Sequence, residues 1–231
     1  MVVSLSNPGR FLLSVCAGAT VFRNPARADL VAALGENLPG TEAVLRGHLK
    51  RLEEDDEGKL VLRERPLVTS RYREDIFHLS RNTLGGAYYA FLQKHGFVSS
   101  ERSEATFFDD PNVAYVMQRY RDLHDIWHVL TNLPPTLLGE VALKYFEALH
   151  TGLPIAVIAA TVGPLRLNSA QRIVLFREYM PWARISAGAC ANLMGIYFER
   201  RWHTPLVELR RELQLIPFQR KVSHASEHHQ S

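Results

Sequence analysis

Apolar residues recur at helical spacing along most of this chain, and the alternation expected of strands is nearly absent. After Asp110 and Pro111, which read as an N-cap and a first helical position, Val113, Val116, Met117, Tyr120 and Trp127 follow one helical period as far as a stop at Pro134 and Pro135. Thr136 then caps a second run through Leu137, Leu138, Val141, Tyr145 and Leu149 to Gly152, a good helix terminator. Similar signals predict helices over residues 29–35, 41–52, 73–80, 83–95, 111–131, 137–151, 169–180, 182–202 and 205–214. Residues 53–57 with Gly58 read as an acidic turn, and residues 59–65 as the one possible short strand. The pattern predicts an all-α, single-domain helical bundle over residues 1–220. The polar residues 221–231 are expected to form a disordered tail, which makes His224, His228 and His229 solvated side chains.

Residues 153–165 are strongly apolar but carry Pro154 and Pro164 and fall short of the roughly 20 residues a membrane-spanning helix needs. They read as a core helix, or as the wall of an apolar tunnel for a long lipid. A chain of 231 residues with 46% hydrophobic content can bury a full core without a disulfide or a structural metal. Two cysteines, Cys16 and Cys190, are too few for a disulfide framework and point to a reducing compartment. The net charge of +3 is scattered rather than gathered into a basic run, which argues against nucleic-acid binding and agrees better with an anionic membrane surface. Arg10, Arg23 and Arg27 precede or flank an N-terminal region with no acid before Asp29, the composition of a mitochondrial presequence, while residues 11–19 could also imitate a secretory signal.

Chemistry concentrates at the hairpin of the two best-marked helices. His124 and His128 sit one turn apart, and with Asp125 they span an arc of about 100° on one helix, narrow enough to reach one ion. Glu140 must come from the second helix. If the turn centres near Pro134, His128 lies six residues before it and Glu140 six after, so an antiparallel pair sets them at one height. Two imidazoles with two carboxylates suit Zn2+, Fe2+ or Mn2+ better than calcium or magnesium. The competing reading has the histidines lining a helix interface, Asp125 paired with Arg121 and Glu140 paired with Lys144.

These residues resemble a known family. His124, Asp125, His128 and Glu140 match the HDxxH(x11)E motif of the ubiquinone biosynthesis protein COQ4 family, and the likeness extends on both sides. It includes YVMQRYR at 115–121, GEVALKYFEA at 139–148, TGLP at 151–154, GPLRL at 163–167, PWA at 181–183, YFERRW at 197–202, NPARAD at 24–29 and LGE at 34–36, covering most of residues 15–215. The resemblance implies that residues 11–22 are the first helix of the folded protein, with any true presequence short or outside this sequence. It also tilts residues 153–165 toward a helix that serves the core and lines a lipid cavity.

What the resemblance implies about activity is ubiquinone biosynthesis: removal of the C1 carboxylate of 4-hydroxy-3-methoxy-5-polyprenylbenzoate, with or without hydroxylation there. Metal ligands would be His124, Asp125, His128 and Glu140, with Asp125 or Glu140 weakly bound and acting as general acid or base. The alternative is a non-catalytic, lipid-binding scaffold for the other ubiquinone biosynthetic enzymes. A metal-dependent phosphohydrolase of the HD type fits less well, because that class normally draws further His and Asp ligands from separate helices. Expected partners are the polyprenylated precursor, those other enzymes, an anionic membrane and further copies of the chain. The expected location is the matrix side of the mitochondrial inner membrane, peripherally bound, or the membrane-associated cytoplasm of a bacterium.

Overall fold

The computed structural model describes residues 34–68, 72–96, 105 and 107–220. Among them there is no strand, only one isolated bridge between Thr83 and Pro205. The chain forms one all-α domain built from α1 (Thr41–Glu54), α2 (Asp56–Glu64), α3 (Tyr72–Ile76), α4 (Leu84–His95), α5 (Pro111–Thr131), α6 (Leu137–Thr151), α7 (Pro154–Val162), α8 (Ser169–Val174), α9 (Met180–Ala189) and α10 (Leu206–Glu212). Residues 34–37 are helical as well.

Helix α5 is central because its sequence is apolar on more than one side: 15 of its 21 residues are buried, so each polar group it carries must find a partner. The Asp110 side chain caps it by accepting the Asn112 N–H at 2.9 Å, and Asn132 ends it in the left-handed region at φ 60°. Thr136 caps α6 by accepting the Gly139 N–H at 3.2 Å, and Gly152 closes it at φ 69°. Both helices therefore begin and end where the sequence predicts. Helix α1 packs on α5 and α2, α4 on α5, and α7 and α9 on α6. Trp127, Phe146, Phe198, Leu123 and Ile126 are fully buried between these layers.

Three sequence expectations are corrected. Residues 59–64 lie in α2, with Arg65 at its C-cap, rather than in a strand. Asp55 accepts the Gly58 N–H at 2.7 Å, Asp56 and Glu57 favour the helix N-terminus, and Arg65 terminates the helix in the left-handed region. The acidic stretch is thus a sharp link between helices, and Gly58 is needed because a Cβ there would lie 2.5 Å from the Leu52 carbonyl oxygen. The helix expected over 182–202 stops at Ala189. Beyond it lie two short 3-10 turns, Leu193–Gly195 and Phe198–Arg200. Long-range bonds hold this segment: the Arg119 guanidinium donates to Ile196 O at 2.6 Å and grips the Glu199 carboxylate, while the Tyr197 N–H donates to Glu57. Finally, residues 73–80 yield only α3.

Residues 169–189 run without a break, but Leu175–Tyr179 is a π-helical turn. Pro181 explains it, since proline supplies no N–H and crowds the carbonyl four residues back, so a wider turn before it relieves the clash. Residues 11–22, the first part of 29–35 and the tail 221–231 lie outside the described residues.

Candidate metal centre

The α5–α6 hairpin brings three predicted ligands together. One ligand atom from each of His124, His128 and Glu140 lies within 4.8 Å of the others. Glu140 Oε1 is 3.1 Å from His128 Nε2, and Glu140 Oε2 is 3.4 Å from His124 Nε2. The two rings stand edge to face, with centroids 4.9 Å apart, so both Nε2 atoms converge without stacking. Burial opposes the charge on Glu140, but the two facing imidazoles outweigh it and hold the carboxyl well below the usual carboxylate range. His128 is the floor of the site and Glu140 its mouth, with side-chain exposures of 1% and 37%. Phe91 of α4 stacks on the His128 ring at 5.5 Å.

Gly139 explains how Glu140 gets so close. A Cβ at Gly139 would sit 1.9 Å from the Pro134 carbonyl oxygen, so only glycine lets the first turn of α6 press onto the connection. A second layer of groups lies behind the first. The His124 Nδ1 is 2.8 Å from Glu147 Oε1, and the Tyr120 hydroxyl and Lys144 ammonium both donate to Glu147 Oε2, the latter at 2.7 Å. Burial opposes ionisation of Glu147, yet Lys144 and His124 outweigh it and hold its pKa at about 2. On His124, burial and Lys144 disfavour the charged ring, while Glu147 and Glu140 prevail and raise its pKa above the ordinary value. His128 is oriented differently, with Nδ1 3.0 Å from the Leu133 carbonyl oxygen.

Asp125 lies half-buried beside His124 on α5, outside the three-residue group. Lys144 bonds Glu147 rather than Glu140, and Arg121 donates to Glu36 at 2.9 Å. Sequence reasoning placed Lys144 elsewhere and did not single out Tyr120 or Glu147, though a signal was available. The hairpin register that pairs 128 with 140 also pairs 124 with 144 and brings 120 opposite 147, each step one helical turn farther from the loop.

The residues fit a divalent ion. His128 Nε2 is sealed from solvent and makes no hydrogen bond, although a carboxylate oxygen lies 3.1 Å away. Such an arrangement is costly for ordinary polar groups but suits a lone pair reserved for a cation. Two imidazole nitrogens and a carboxylate match zinc, ferrous iron or manganese.

Comparison with known proteins agrees with the residues. The family model for "Coenzyme Q (ubiquinone) biosynthesis protein Coq4" matches residues 1–219. This chain belongs to the Coq4 family. Among Coq4 relatives, the mitochondrial ubiquinone biosynthesis protein COQ4 homolog of Danio rerio is 38% identical over 215 residues, spanning 92% of this chain and 79% of the relative. The Rattus norvegicus homolog is also 38% identical, over 90% of this chain and 78% of its own length, and the Coprinopsis cinerea protein 38% over 87% and 69%. A solved ubiquinone biosynthesis protein from Nostoc punctiforme shares the fold, with a TM-score of 0.70 at 20% identity, covering 90% of this chain and 97% of that one. Coq4 membership places the hairpin site in a protein of ubiquinone biosynthesis.

Proposed function

We propose that this Coq4 protein removes the C1 carboxylate of a 4-hydroxy-3-methoxy-5-polyprenylbenzoate at a divalent ion held by His124, His128 and Glu140. The observation that carries the reading is the buried, unbonded Nε2 of His128 facing the Glu140 carboxylate. Direct loss of carbon dioxide from an aromatic carbon would leave an anion in an in-plane orbital that the ring cannot delocalise. Protonation of C1 avoids it, and loss of carbon dioxide then restores aromaticity. When bound, the ion supplies Lewis acidity at the carboxylate or phenolate. Glu140 faces both imidazoles and stays charged, so its place is among the ligands. Asp125, adjacent to them and outside their cluster, suits the fourth position or proton delivery to C1. Zinc serves a purely acid-base reaction; hydroxylation at C1 would require a redox metal such as iron.

A second reading is a lipid-binding scaffold for other ubiquinone biosynthetic enzymes. It draws on an open apolar groove of about 480 Å3 lined by Tyr145, Leu149, Phe176, Met180 and Ile185, on the side of α6 turned away from α5. The experiment is turnover of a short-tailed substrate by metal-loaded protein. Carbon dioxide release that falls at least tenfold in Glu140→Gln, with substrate binding retained, supports the enzyme. No release from wild type with zinc, manganese or iron under reducing conditions supports the scaffold.

Relatives are named as mitochondrial, and no described helix is long and apolar enough to cross a membrane. Peripheral binding on the matrix side of the inner membrane is the location we propose. Its structural support is α7, whose Ile155, Ala156 and Ala160 face the core while Val157, Ile158 and Val162 face outward, followed by exposed Leu165.

A further inference from the structure

We propose that Glu147 is a positioning residue of the centre, holding the His124 ring so that Nδ1–H points inward and the Nε2 lone pair points to the site; this rests on the metal reading above. The Glu147 side chain is wholly buried, and its two oxygens divide their partners. Oε2 receives Tyr120 and Lys144, leaving Oε1 to His124 alone at 2.8 Å. An ionised carboxylate only accepts, so the proton in that last bond belongs to His124 Nδ1. The opposite nitrogen of the same ring lies 3.4 Å from Glu140 Oε2, in the ligand group.

His128 supplies the comparison. Its Nδ1 meets a backbone carbonyl, Leu133 O at 3.0 Å, an acceptor that no side-chain substitution removes. Both histidines are thus fixed through Nδ1 and present Nε2, but only His124 depends on a side chain for it. A glutamine at 147 offers a single oxygen, which Tyr120 and the donor-only Lys144 claim. Its NH2 group then faces His124 Nδ1, which must accept, and the ring proton moves to Nε2, where it blocks coordination.

The test uses zinc alone as probe, with two readouts: affinity by chelator competition, and the imidazole 15N–1H spectrum of the zinc-loaded protein. Wild type should show a protected, low-field Nδ1–H signal from His124. Glu147→Gln should lose that signal and bind zinc about 10- to 100-fold more weakly. Glu199→Gln disturbs another buried carboxylate bonded to α5 and controls for general destabilisation; it should lower Tm and leave zinc affinity within threefold. A folded Glu147→Gln variant with unchanged affinity and spectrum would overturn the proposal. So would zinc-loaded wild type lacking the His124 Nδ1–H signal, which decides the matter even if the variant does not fold. Wild type that takes up no zinc would instead overturn the metal reading itself.

Discussion

At the scale of single residues, the candidate site separates ligands from ordinary polar groups by what each nitrogen can reach. His128→Ala should abolish most zinc uptake, because it removes the buried Nε2 at the floor of the site. The exposed His203 is the matched control, and retention of metal by the first variant with loss by the second would refute the assignment. Another histidine contributes to acid sensitivity, beside buried His48, whose pKa is also lowered by burial. Burial, aided by nearby His48 and Arg51, lowers the pKa of His150 to about 4, and its Nε2 accepts the Leu193 N–H at 3.2 Å. The unfolded chain takes up this proton near pH 6.5 and the folded one near 4, so stability is full above 6.5 and falls as pH drops through that window. The loss should be on the order of 2–3 kcal/mol. His150→Gln keeps an acceptor for Leu193, and urea melts between pH 7 and 4 should show a shallower decline. If its slope matched wild type, His150 would not be a contributor.

At the scale of elements, helix ends that rest on neighbouring residues were legible, and ends that rest on distant ones were not. The caps at Asp110, Thr136 and Gly152 lie within the segments they bound, so α5 and α6 could be read to the residue. The end of α9 could not, because residues 190–202 trade helical bonds for Arg119, Glu57 and His150, which are many residues away in sequence. Likewise His124, His128 and Glu140 were visible as a spacing, whereas Glu147 emerges only when the register that pairs 128 with 140 is carried two helical turns farther from the loop. The Arg119–Glu199 pair anchors the irregular segment, and Arg119→Met should destabilise the fold by about 3–5 kcal/mol by stranding a buried carboxylate. Gly139→Ala tests the closest approach in the hairpin. The clash with Pro134 O should cost about 1–3 kcal/mol and, by pushing Glu140 outward, weaken zinc binding at least tenfold. A Tm and zinc isotherm matching wild type would show that the connection yields without moving the site.

At the scale of the whole molecule, α6 is shared between two surfaces: Glu140, Lys144 and Glu147 face α5, while Tyr145 and Leu149 line the apolar groove. Together with the outward face of α7, this surface leads us to expect peripheral membrane binding. The protein should be released from membranes by alkaline carbonate, and Val157→Asp with Leu165→Asp should reduce sedimentation with anionic vesicles several-fold at unchanged Tm. Resistance to carbonate would refute the peripheral reading. The connection between α5 and α6 has a mechanical meaning as well. Three tiers of side chains, 128 with 140, 124 with 144 and 120 with 147, all take their alignment from it. Adding one residue near Pro135 would turn α6 by about 100° and swing all three partners away together. The eleven residues between His128 and Glu140 therefore act as a gauge block, whose length is held to a tolerance of less than one amino acid and whose lettering is tied at Asn132, Thr136 and Gly139 by the turn, the cap and the close approach they supply.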